Sequence, residues 1–158
     1  MLTLIGCIMT VLTGALIGAE AANSLSRRRD CLRSLCLMAR LIKNCLSCEY
    51  MSAAEIAFRL SLDPRLKSLG LFDEPSLAHI RANILSIPFV PQETRLSLER
   101  YFESFGQHSL EGEVARTDIL LTELEAAYEP AREKAQRLCR LYRVLGLCGG
   151  LGAVILII

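Results

Sequence analysis

Tryptophan is absent from this 158-residue chain, aromatic residues make up only 6%, and there are two histidines. So few rings argue against a surface that stacks bases. A formal net charge of +1 supplies no large single-sign field, so nucleic acid is not an expected partner. His79 and His108 have no carboxylate or nucleophile at a spacing that suggests a dyad, and both read as ordinary histidines. Charge is missing altogether from residues 2–19 and 144–158. Strand-like alternation, internal repeats and a low-complexity linker are missing too, and the length suits one domain.

What is present is grease concentrated at both ends. The apolar fraction is 52% and the mean hydropathy +0.35, yet charged residues still reach 22%. From Leu2 to Ala19 the chain is apolar, and roughly 18 to 20 such residues cross a hydrocarbon core of about 30 Å. A cleaved secretory signal is the rival, since Ala19-Glu20-Ala21 resembles a cleavage site. No Lys or Arg precedes the apolar run, however, and Arg27, Arg28 and Arg29 follow it, the reverse of a signal peptide. The segment 144–158 reaches roughly 22 Å as a helix, short for a span. Snorkelling of Arg140 and Arg143 lengthens it, and Gly146, Gly149, Gly150 and Gly152 permit close helix approach. A buried core helix is the alternative for this end.

Basic residues near the spans set orientation. Arg27, Arg28, Arg29 and Arg33 follow the first; Arg132, Lys134, Arg137, Arg140 and Arg143 precede the second. Both flanks place residues 25–143 inside. The expected protein is a multi-pass cell-membrane protein with a cytoplasmic domain at 25–143 between transmembrane helices at 1–24 and 144–158. The arginine cluster also suits anionic headgroups.

The interior reads as all-α, a bundle of about five to six helices. Leu25, Leu32, Leu35, Ala39, Ile42 and Leu46 recur at helical steps. Ser52-Ala-Ala-Glu55 is a capping box, with Ile56, Phe58, Leu60 and Leu62 available to pack. Asp63-Pro64 opens a short piece carrying Leu66, Leu69, Leu71 and Phe72. Asp73-Glu74-Pro75 opens a helix to about Ser86, Pro88 and Pro91 bracket a turn, and a helix follows from Gln92 to Phe105, ended by Gly106. In it Leu96, Leu98, Tyr101, Phe102 and Phe105 are the packing residues. From Glu113 a long helix carries a seam of Leu121, Leu124, Tyr128, Ala131, Ala135, Leu138, Tyr142 and Leu145, with Pro130 expected to kink it. Its carboxylates, Glu111, Glu113, Asp118, Glu123, Glu125 and Glu129, read as a solvated face or a docking face for a basic partner.

Chemistry is sparse. The seven cysteines are Cys7, Cys31, Cys36, Cys45, Cys48, Cys139 and Cys148, an odd number without a disulfide framework, which points to reduced thiols. Cys45-Leu-Ser-Cys48 is the one site-like motif. It lies near a helix C-terminus, where the dipole opposes a thiolate, and no further ligands stand at zinc spacing. A small membrane redox or metal-binding protein using Cys45 and Cys48 is the alternative reading. No catalytic, cofactor or metal residues are assigned, and no small-molecule substrate is expected.

The layout resembles the stage III sporulation protein AB family. The pieces that carry the resemblance are Leu41-Ile42 through Tyr50, the helix from Ala53 to Leu60, Phe105-Gly106, and Tyr142-Arg-Val-Leu-Gly146-Leu-Cys-Gly149-Gly150 through Ile158. The chain departs from the family's pattern before Tyr50, where Glu49 is the only acid, and at Ser109-Leu110-Glu111-Gly112-Glu113, a loose echo of Leu-Gly-x-x-Asp. The resemblance implies a cytoplasmic bundle similar to those of type II secretion and type IV pilus inner-membrane platform proteins. It further implies a non-catalytic scaffold on the mother-cell side of a channel between mother cell and forespore. The implied partners are a cytoplasmic secretion-type ATPase, other membrane subunits of the channel and membrane lipid.

Overall fold

The computed structural model describes the backbone of residues 2–72 and 74–157, with side chains at 9, 11–67, 69–72, 74–146, 148, 149 and 152. Among the described residues every regular element is helical: α1 (Leu2–Cys48), α2 (Ala53–Leu62), α3 (Leu77–Asn83), α4 (Gln92–Glu103) and α5 (Leu110–Ile157), with 3-10 turns at Lys67–Leu69 and Ile84–Ser86. The chain divides into two compact units, residues 30–129 and the pair of segments 1–29 and 130–158.

The unit 30–129 is built on large apolar side chains. Leu32, Leu35, Met38, Ala39, Ile42 and Leu46 of α1 are buried, as the helical spacing requires. Further buried residues come from the elements that follow: Ile56 and Leu60 of α2, Leu66, Leu69, Leu71 and Phe72 of the following loop, Ile80, Ile84 and Ile87, then Leu98, Phe102 and Phe105. Each side chain of this size contributes about 1.5–3 kcal/mol when fully removed from water. Tyr101, Phe102 and Phe105 form an aromatic cluster, with Tyr101 and Phe102 edge-to-face at 5.2 Å. Phe58, Leu62 and Leu96 were expected to pack but are exposed, Phe58 by 55% and Leu62 by 61%. Ile56 and Leu60 already fill the inner face of α2, and i+2 from either points away.

Local chemistry sets the ends of the elements. Ser52 accepts from the Glu55 amide while the Glu55 carboxylate accepts from Ser52 N–H at 2.8 Å, the reciprocal capping box read in the sequence. The helix expected up to Ser86 is shorter: α3 starts after Ser76, and its last turn tightens to 3-10. Ile87 precedes Pro88 and is forced to an extended backbone (φ −60, ψ 120), so the α conformation must end before it. Gly106 closes the corner after α4 in a left-handed conformation (φ +84), and a side chain there would also press on Ala53. Two non-glycine residues, Tyr50 (φ 50) and Phe89 (φ 62), also adopt left-handed backbone.

The unit formed by 1–29 and 130–158 contains the first part of α1 and the last part of α5. The expected spans at 1–24 and 144–158 fall partly on residues whose side chains lie outside the description (1–8, 10, 147, 150, 151 and 153–158), among them Cys7 and the Val154–Ile158 tail. Among the described residues no helix is long and apolar enough to cross a membrane. α5 runs through Pro130, the first residue of its part of this unit. With no amide hydrogen at Pro130, the carbonyl of Ala126 loses its usual helical partner.

Candidate functional site

Three places gather the residues singled out by the sequence. The first is the crossing of α1 and α5 in the unit 1–29/130–158. An added Cβ at Gly18 would lie 2.5 Å from the Tyr142 carbonyl oxygen and 3.0 Å from Gly146 Cα. One at Gly146 would lie 2.7 Å from the Gly14 carbonyl oxygen and 3.0 Å from Gly18 Cα. The two backbones therefore touch directly, and no side chain fits between them. One turn further on, Cys139 donates its thiol hydrogen to the Ala22 carbonyl at 3.3 Å, and its sulfur is 3.4 Å from Ser26 Oγ. With the thiol proton on Ala22, the Ser26 hydroxyl is the donor in the second contact. Besides Gly146, the sequence carries the signal in Gly14-Ala-Leu-Ile-Gly18, a small-x-x-x-small spacing that marks a close-approach face.

The seam of α5 is graded along its length. Leu124, Ala131 and Ala135 are buried, Leu121, Tyr128 and Leu138 are half-buried, and Tyr142 and Leu145 are exposed. Large side chains at Tyr142 and Leu145 stay outside because the contact beside them is made by glycine and a carbonyl. Upstream, the buried stripe continues through Leu120, Thr117 and Glu113, not through Leu121. Two of those three are polar, so a search for apolar periodicity selects the neighbouring leucine instead.

The flanking cations divide between the units. Arg27, Arg28, Arg29, Arg132, Lys134, Arg137, Arg140 and Arg143 belong to 1–29/130–158, where Glu20 and Glu133 are the only acids. Arg33 belongs to 30–129 and lines a groove there. Arg137 sits 3.8 Å from Glu133, both exposed, a contact of little energetic weight.

The second place is that groove, about 970 Å³, between α1 and α5 in the unit 30–129. Its walls carry Arg33, Leu37 and Arg40 on one side and Thr122, Glu125 and Glu129 on the other, with Arg65 at the rim. Arg40 donates to Glu125 at 2.7 Å, and Lys43 pairs with Asp118 at 2.6 Å. Glu125 and Asp118, expected to be solvated, are thus partnered, although both pairs are exposed and contribute roughly 0–1 kcal/mol each. The groove carries charges of both signs and offers hydrogen bonding.

The third place is the corner between α4 and α5. Glu113 is buried (3% exposed), against the expectation of a solvated face. Its Oε1 accepts from the backbone N–H of Gly106 at 2.9 Å and of His108 at 3.2 Å, and lies 3.3 Å from His108 Nδ1. One turn on, Arg116 donates to the Ser104 carbonyl and hydroxyl and to the carbonyls of Arg100 and Tyr101. An acid thus satisfies the loop's donors while a base satisfies the open carbonyls of α4. Thr117 donates to the Glu113 carbonyl at 2.7 Å, so the Tyr101 hydroxyl donates to Thr117 at 2.8 Å. Burial pushes the Tyr101 phenol well above its ordinary range. His108 has a carboxylate neighbour after all, but it serves the fold of the corner.

Cys31, Cys36 and Cys45 are held as thiols in this geometry. Cys45 is buried and Cys48 exposed as the last residue of α1, and both are free. Burial, then the nearby Glu49, raises the Cys45 thiol; burial also pushes Cys31 and Cys36 up to about 11. A raised pKa withholds the thiolate that redox or metal chemistry needs. Among the described residues no group of three or more His, Cys, Asp or Glu is placed to hold a metal ion.

Comparison with known proteins supports the resemblance read from the sequence: residues 85–158 match the stage III sporulation protein AB family. The match contains Phe105-Gly106 and the Tyr142-to-Gly150 motif and leaves residues 1–84 outside it. No curated protein and no solved structure matches the chain.

Proposed function

Taking the match to the stage III sporulation protein AB family over residues 85–158 as the premise, we propose that the chain is a non-catalytic, membrane-anchored scaffold of a sporulation channel. A stage III sporulation role is what the family implies. In this reading the charge-free ends of α1 and α5 cross the membrane of the mother cell as a pair. The unit 30–129 stands on the cytoplasmic side, where it docks a secretion-type ATPase and meets other membrane subunits of the channel. The observation that carries the reading is the family match. The backbone-to-backbone packing of Gly18 on Gly146 supports it, because such contacts suit helices in lipid, where side-chain burial gives no driving force. The core of 30–129 supports it as well, supplying a packed helical face.

The test is recovery of partners from sporulating cells with the tagged full-length chain, cross-linked before solubilisation. An ATPase and at least one channel subunit are expected in the eluate from the membrane fraction. A bait that is present in that fraction and brings down neither would overturn the adaptor role.

A further inference from the structure

The crossing of Gly18 and Gly146 divides the unit 1–29/130–158 into two electrically different sides. Beyond it, residues 2–17 and 147–157 contain no Asp, Glu, Lys or Arg. On the other side the unit holds eight Lys and Arg against two acids, a net charge of +6. The antiparallel contacts fix how these charges align. Gly18 lies against Gly146, and Ala22 and Ser26 lie against Cys139. At 1.5 Å per residue, Arg28 and Arg137 both stand roughly 14–15 Å from the crossing. Arg140 and Arg143 stand roughly 9 and 5 Å from it on α5. All four are exposed, as are Arg27 and Lys134. The two helices therefore build one belt of cations that begins within a turn of the crossing, with nothing comparable on its far side.

We propose that this belt is a binding surface for anionic phospholipid headgroups, with phosphatidylglycerol as the simplest occupant. The proposal rests on the membrane reading given above. A belt of depth about 13 Å, uncharged on one side, matches the shape of a bilayer surface: phosphates in a layer, hydrocarbon beyond. Guanidinium groups bind phosphate through paired N–H donors, and five of the six named residues are arginines. Electrostatic attraction to an anionic surface adds about a fivefold preference per cation held near it.

The full-length chain in neutral-detergent micelles tests this by titration with short-chain phosphatidylglycerol or phosphatidylcholine, read as a shift in melting temperature. Phosphatidylglycerol is expected to bind more tightly, with affinity falling as salt rises from about 50 to about 500 mM. The triple variant R28Q/R140Q/R143Q is expected to lose on the order of a hundredfold of that preference. Arg59→Gln and Lys67→Gln, in the other unit, are expected to leave it unchanged, and helical circular dichroism checks that each variant folds. Equal affinity for the two lipids, a salt-independent preference, or equal competition by inorganic phosphate would overturn the proposal. Carbonate extraction of cell membranes separates the two levels of argument. A chain that stays in the pellet but shows no lipid preference loses only the headgroup surface, whereas a chain released by carbonate loses both.

Discussion

The two units of this chain hold themselves together by opposite means. In 30–129 the contacts are made by large side chains such as Phe102, Met38 and Ile42, each with no exposure. In 1–29/130–158 the contact at the crossing is made by backbone, because Gly18 and Gly146 carry no side chain to interpose. The charges are opposed as well: net −5 in the first, from ten basic and fifteen acidic residues, and +6 in the second. A formal +1 for the whole chain hides both. The first pattern is what water selects, through burial of apolar area; the second is what remains useful where that driving force is absent.

The sharpest way to break the contrast is to alter one residue of each kind in the full-length chain. Phe102→Ala deletes a fully buried ring and should cost about 3–5 kcal/mol, measured by denaturation of 30–129. Gly146→Leu should leave that transition in place and abolish the crossing. A Ser26→Cys chain reports the crossing directly, since residue 26 already lies against Cys139 and oxidation should link the two. The link should form while Gly146 is retained and fail once Gly146→Leu is added. Equal cross-linking in both backgrounds would mean that the glycines do not set the approach.

A smaller effect sharpens the account of the corner. Glu113→Ala leaves the N–H groups of Gly106 and His108 without their acceptor and should cost about 1–3 kcal/mol. Glu113→Gln keeps an oxygen in place and should cost clearly less, by the same denaturation measurement. If the two variants are equally destabilised, the buried acceptor is not what holds the loop.

The smallest effect belongs to the exposed surface. Hydrogen bonds from Ser52 hold the Glu55 carboxyl below the ordinary carboxylate range. A depressed folded-state pKa gives stability that is present above about pH 4 and lost as pH falls through the folded value. Melting temperature should therefore fall with acid slightly less steeply in Glu55→Gln than in the parent. Parallel profiles would remove the capping box as a contributor.

Much of the first unit could be read from the sequence because its rules are local or periodic. The spacing Leu32, Leu35, Ala39, Ile42 and Leu46 is a face of α1, and Ser52-x-x-Glu55 opens α2. Elsewhere the signal failed for physical reasons. Glu113 and Thr117 are buried because tertiary hydrogen bonds satisfy them, and no apolar pattern announces that. The compact units divide at 29/30 and 129/130, inside α1 and α5. Helices that continue through a boundary leave no linker to mark it. The cations at 27–29 and 132–143 were legible as flanks of apolar segments. That Arg33 belongs with the acidic unit was not, since only the division of the fold separates it from Arg29.

Tyr50 and Phe89 carry a consequence of a different kind. Each sits on left-handed backbone that glycine would adopt freely, and each presents an aromatic ring outward, Tyr50 by 74%. At Tyr50 the ring gains little burial that would offset the strain. At that position residue choice and local backbone preference disagree. Glycine there would relieve the strain at little cost in buried area.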